Sequence, residues 1–461
     1  MKRLGGIPFR FGTILSQKII FVWVSILIIV FLSCKEKPPV IQDTTAPDTA
    51  ESGETKSPYE WKQSGDEWFI TLRPELLPEG EVEEWSLLLY YSWTGNDETL
   101  PLELTMLESA VNTETKNSFL FFPKEKINTI GGYRETMLAF HSERWKELPR
   151  EISIRGKDTA GRDFTVLDIK LLLRSSHSDP LLLDPGTMLH YPHSSFRNSE
   201  YEIFSHNLYP GLLYLVSDSF RTQSLFLKRL AFFTEKKGFV GRLAEDREIS
   251  HLRDWFAHDY RAEDLAAFFD LAKRENFPLN ESELVLRDLL CKHGIIRIEN
   301  GSYIKGEGAL LGFSIESGNR LPVYYVHETV HGLSFIMNGL QKVFLDFFES
   351  MGSYEKDFMR DSLLYREYNV LEDKELLALE TAAYLLQQRP EETDRYFREY
   401  IMLWYKAYHE GTDRGDEVMA FIAANPGIFG RYSALLQKEF RAFTGLRAEI
   451  FYDLLPKETP L

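Results

Sequence analysis

The chain changes its hydrophobic period partway along, and that change limits the folds open to it. From Tyr59 to about Arg174 the apolar residues come in short strand-like runs, such as Glu67-Trp-Phe-Ile-Thr-Leu72, Trp85–Trp93, Ser118–Phe122 and Thr136–Phe140. Turn residues, including Gly95-Asn96 and Gly131-Gly132, separate them. From about His177 the character differs. Segment 180–215 reads as irregular and rich in Pro, His and Tyr, whereas 218–236, 262–275 and 281–292 carry helical spacing. Residues 294–317 return to strands, punctuated by Gly301, Gly306 and Gly308, and after Pro322 nearly everything reads as helix. Strands grouped first and helices grouped later predict an α+β fold.

At 461 residues the chain is long enough for two or three domains. A hydrophobic content of 44% and an aromatic content of 14% provide for sizeable cores and argue against a largely disordered protein. The formal net charge of -17 argues against nucleic acid as the partner, since a phosphate backbone is held by positive charge.

The first residues have the build of an export signal. Lys2, Arg3, Arg10 and Lys18 give a basic start without an acidic residue, and the uncharged stretch from Ile19 to Ser33 is short for a membrane span but suits a signal-peptide core. It ends Val30-Phe31-Leu32-Ser33-Cys34, which resembles the lipobox of bacterial lipoproteins in its relaxed, spirochaete-type form, with Phe31 at the usual aliphatic position. The resemblance implies a signal peptide over 1–33, lipidation of Cys34 as the first mature residue, and a lipid-membrane anchor at the bacterial cell envelope, periplasmic or surface-facing. Residues 34–58, rich in Lys, Glu, Pro, Thr, Asp and Ser, read as a flexible tether. The other cysteine, Cys291, has apolar neighbours and reads as a buried small hydrophobe.

Residues 59–175 are expected to form a β-sandwich. The segment Glu151–Val166, with an Asp-Thr-Ala-Gly turn at 158–161, reads as a hairpin and resembles the closing hairpin of immunoglobulin-like domains on bacterial surface proteins. A spacer or binding module is the expected role of this part.

Within 176–461 the chemistry gathers around Tyr324-Tyr-Val-His-Glu-Thr-Val-His-Gly-Leu333. Pro322 suits the first turn of a helix and Asn338-Gly339 a stop. On that helix His327 and His331 stand four apart, on one face, as two zinc ligands. Glu328 is rotated about 100° from His327, so it reaches a water beside the ion rather than the ion. Val326, Val330 and Leu333 should pack around and behind the face.

An open catalytic zinc site needs a third protein ligand. No His follows within Gly332–Gln341, which excludes the metzincin arrangement, and His190 and His193 lie in the irregular upstream stretch as loop groups. The remaining pattern resembles the gluzincins, in which a Glu on a later helix completes the site. That resemblance, over roughly 290–440, points to Glu380 in Leu376-Leu-Ala-Leu-Glu-Thr-Ala-Ala-Tyr-Leu-Leu386. Glu380 is the lone charge in an apolar helical run, where burial demands a partner. Ala382 and Ala383 would let the two helices approach closely. Glu367, Glu372 and Glu375 compete from more charged surroundings. Tyr384 stands where the thermolysin type has an Asp, which leaves the group supporting a ligand unassigned.

The resemblance implies a mainly helical, zincin-like metallopeptidase domain with a small β-sheet. It implies a zinc-activated water attacking a peptide or protein substrate, Glu328 as general base, and an oxyanion donor from the C-terminal part. Tyr432 is the first candidate for that donor, with Tyr405, Tyr408 and His409 behind it. Gly308–Glu316 sits where a substrate-pairing edge strand would lie, though an ordinary sheet strand fits it equally. His251–Tyr260, mixing aromatics, His and carboxylates, reads as structural or cleft-lining. The competing expectation for the whole chain is a non-catalytic envelope lipoprotein, serving adhesion or assembly with a zincin-like fold.

Overall fold

The computed structural model describes residues 57–77, 85–93, 102–110, 113–121, 134–139, 148–155, 164–173, 179–189, 191–236, 238–252, 254–409, 412–448 and 454–456. The leader, Cys34 and the tether up to residue 56 lie outside them. So does His190. The described residues form a mixed helical and β fold and fall within one compact unit, Glu54–Leu461.

The N-terminal part is two antiparallel sheets over one apolar core. One sheet has the order β1 (Tyr59–Ser64), β2 (Glu67–Leu72), β7 (Glu151–Arg155), β4 (Leu102–Ala110), β5 (Thr113–Phe121) and β16 (Leu454–Pro456). The other has β6 (Arg134–Ala139), β3 (Trp85–Trp93) and β8 (Phe164–Leu173). Alternation supplies the core: Trp68, Ile70 and Leu72 of one sheet meet Leu87, Leu89 and Tyr91 of the other. The expected hairpin over 151–166 is not one. Its two strands belong to different sheets, β7 pairing with β2 and β4, and β8 with β3. Across the gap the Trp68 indole donates to the Phe164 carbonyl at 2.9 Å. Near the C-terminus, Leu454–Pro456 returns to pair with β5, so this strand belongs to the first sheet rather than to the helical part.

The second part is built on a five-stranded sheet of order β12 (Ala257–Arg261), β15 (Ala309–Ser314), β11 (Leu212–Ser217), β10 (Tyr201–His206) and β9 (Leu181–Leu183). Strands β9, β10 and β11 occupy the stretch expected to be irregular. The reason is that β11 is buried throughout and β10 nearly so, so they show continuous apolar runs instead of alternation. Leu212, Tyr214, Val216, Leu311 and Phe313 face one layer, and Leu213, Leu215 and Leu310 the other. The second layer consists of helices Phe220–Thr234, Ala262–Arg274 and Glu281–Lys292. A buried ion pair of Arg229 with Glu283, 2.8 Å apart, ties the first of these helices to the last. The layer on the first face carries the site: helix Leu321–Ile336, with Pro322 in its first turn, and helix Lys374–Leu386, capped by Asp373.

Candidate metal centre

The helix Leu321–Ile336 is pinned to the sheet by its back. Tyr325 stacks on Phe313 with ring centroids 4.1 Å apart, and the Thr329 hydroxyl lies 3.1 Å from the Tyr214 phenol. Val330 and Leu333 are fully buried, and Gly332 leaves room where a Cβ would collide with Leu212. These contacts fix the roll of the helix and turn His327 and His331 toward the helix Lys374–Leu386. There Ala382 and Ala383 are buried and Glu380 comes forward, only 6% exposed.

Three ligand atoms then meet. The Nε2 atoms of His327 and His331 are 3.1 Å apart, and Glu380 oxygens lie 3.5 Å from the first and 3.6 Å from the second. A tetrahedral zinc at about 2.0–2.2 Å from its ligands separates them by about 3.3–3.6 Å. With one Glu380 oxygen toward each imidazole, the separations are close to those of such a site. Its chemistry agrees. Burial pushes the His331 imidazole down to about 3, so it is neutral and offers a lone pair. One Glu380 oxygen is buried without a hydrogen-bond partner among the described residues. The site fits a divalent cation.

Around it stands more acid than the sequence reading anticipated. Glu328, one residue past His327, stands beside Asp259 of β12. Asp259, Glu328 and His331 form a second close group of ligand-type atoms. Burial, then Asp259, Glu380 and Glu235, push the Glu328 carboxyl well above the usual range. Glu235, at the end of helix Phe220–Thr234, reaches solvent. Burial, with Asp259 and Glu380 adding, raises its carboxyl too. None of these four carboxylates forms an ion pair with Lys or Arg among the described residues. A divalent cation would relieve their mutual repulsion.

The support left unassigned by sequence is Gln387. Its Oε1 lies 2.9 Å from Nδ1 of His327, which orients that ring so that Nε2 points to the cluster. Tyr384 packs edge-on against His327, centroids 4.8 Å apart, and makes no such bond. Replacing Gln387 by Leu should lower zinc affinity by about 10- to 100-fold without unfolding the chain; competition against a fluorescent chelator measures it.

The expected oxyanion donor is elsewhere. The Tyr432 hydroxyl donates to Glu355 at 3.1 Å and accepts from the Gly352 amide, among helices away from the cluster. Tyr405 packs on Phe358, and His409 is held by Asp361 at 2.6 Å. The phenols near the carboxylates are those of Tyr260, Tyr384 and Tyr368, the last in the loop before helix Lys374–Leu386. Burial pushes the Tyr368 pKa well up, with Glu380, Tyr384, Glu235 and Glu328 adding. Of the competing glutamates, Glu367 pairs with Lys236 at 3.3 Å and Glu372 with Asn369, outside the cluster. His193 bonds the Ser199 carbonyl in a loop. The strand 308–316 is not an edge: β15 is internal and fully buried, and the edge strand beside the site is β12, antiparallel to it.

No protein-family model matches the chain, no characterised protein is similar to it, and no solved structure matches its fold. No helix among the described residues is long and apolar enough to cross a membrane.

Proposed function

We propose that the chain is a zinc-dependent peptidase of gluzincin type, a zincin-like half carrying the site and an immunoglobulin-like sandwich preceding it, tethered to a bacterial envelope through lipidated Cys34. The observation that carries this reading is the cluster of His327 Nε2, His331 Nε2 and Glu380, with a further carboxylate, Glu328, beside it. Zinc held there would acidify water and polarise a carbonyl. The rest falls to the chain. Glu328 takes the proton of the attacking water and passes it to the departing amine, so the C–N bond breaks to a carboxylate and an amine. Tyr368, half-buried near these carboxylates, is the candidate donor to the oxyanion. Strand β12 offers a free edge along which an extended peptide can pair. The test is peptide hydrolysis by the zinc-loaded full chain, wild type against Glu328→Gln. A zinc-loaded wild type that cuts nothing would leave the non-catalytic envelope role.

A further inference from the structure

We infer that a cavity beside the metal centre is a subsite for the C-terminal carboxylate of the peptide substrate. The inference rests on the peptidase reading and deepens it. The cavity has a volume of about 320 Å³, within the size of small-ligand pockets, and its walls include Val326, Gln387, Arg389, Arg395 and Tyr396. One of these, Gln387, touches a side chain of the metal centre. Val326 precedes His327 in the chain, and Gln387 holds its Nδ1. Gln387 is 6% exposed, and its Nε2 makes no hydrogen bond. The Tyr396 phenol is near enough to sense that amide, but not in hydrogen-bonding geometry.

The charge of the cavity sets its ligand. Arg398, close by, is held by Asp394 at 2.6 Å. Arg389 and Arg395 have no such partner among the described residues, and Glu392, which also lines the cavity, pairs with neither. Two free guanidinium groups in a chain of net charge -17 are placed to take an anion. The acidic wall of Glu235, Asp259 and Glu328 repels one.

Strand direction says which end of a peptide arrives. β12 runs from Ala257 to Arg261, and Phe256, just before it, stacks on Tyr324 with rings 6.2 Å apart and 9° from parallel. Tyr324 follows Val323 of the cavity wall, and its phenol acts on that of Tyr396. The start of β12 therefore lies on the Tyr324–Tyr396 side of the cavity. A peptide pairing antiparallel, the stronger ladder, would run its C-terminus toward Phe256 and the arginines. The opposite direction would bring an ammonium to them.

Three peptides of one sequence test this on the zinc-loaded full chain: free acid, C-terminal amide, and an amide ending in Glu. KM and kcat are measured for wild type, Arg389→Gln and Arg395→Gln, and binding is titrated on zinc-loaded Glu328→Gln. The free acid should show a KM about 10- to 100-fold below that of the amide. Each arginine variant should lose most of that difference while cutting the amide as wild type does. Equal KM values for acid and amide, or arginine variants that keep the preference, would overturn the subsite. An amide ending in Glu that binds as well as the free acid would overturn the terminal assignment. If no peptide is cut but Glu328→Gln still binds the free acid selectively, the subsite stands and the peptidase reading falls; if it binds neither, both fall.

Discussion

Glu328→Gln should reduce kcat for peptide hydrolysis by about 10²- to 10⁴-fold while zinc stays bound. The substitution is nearly isosteric, and the side chain is 8% exposed on a helix whose opposite face holds the packing. Neither fold nor ligand set should change. What is lost is the only group adjoining the cluster from within the ligand helix that accepts a proton. In the metal-free chain burial and three neighbouring carboxylates favour the protonated form of Glu328. A divalent charge at the triangle shifts that balance toward the carboxylate a base requires. Steady-state kinetics with zinc content measured on the same samples separates the outcomes. Activity equal to wild type removes Glu328 as the base.

Glu380→Gln should lower zinc affinity by roughly a hundred- to a thousandfold, taking ~10–16 kcal/mol as shared over a full ligand set. The same change should not destabilise the metal-free chain. It removes a buried charge whose only ion-pair partners among the described residues are two imidazoles, at 3.5 and 3.6 Å, and His331 is held neutral. Thermal unfolding with and without zinc therefore gives a signature of two parts: the zinc-induced rise in melting temperature disappears, and the metal-free melting temperature holds or increases. A metal-free variant markedly less stable than wild type would make Glu380 a packing residue instead.

How much of this was legible in the sequence depended on the kind of signal. His327, Glu328 and His331 were legible because one helical turn fixes their relation whatever surrounds them. Glu380 was legible because a single carboxylate among Leu and Ala can be buried only with a partner. Gln387 was not, being uncharged and at a helix end. Its spacing of seven from Glu380, two turns on the same face, was the signal available. Asp259 and Glu235 reach the cluster from β12 and from the end of helix Phe220–Thr234, and no local pattern announces a contact made across the fold. Tyr432 and Tyr368 illustrate the same limit, since which tyrosine faces the site is settled by helix and loop packing. Strands β10 and β11 were hidden because burial on both faces erases alternation. Alternation in 151–155 and 164–166 signals strands but carries no information on which sheet a strand joins.

The most direct test is zinc stoichiometry combined with a crystal structure of the zinc-loaded full chain. The account predicts one zinc per chain, with Nε2 of His327 and of His331 at about 2.0–2.1 Å and a Glu380 oxygen at about 2.0–2.2 Å. A chain that takes up no zinc under saturating metal, or binds it with any of these three side chains turned away, would contradict it.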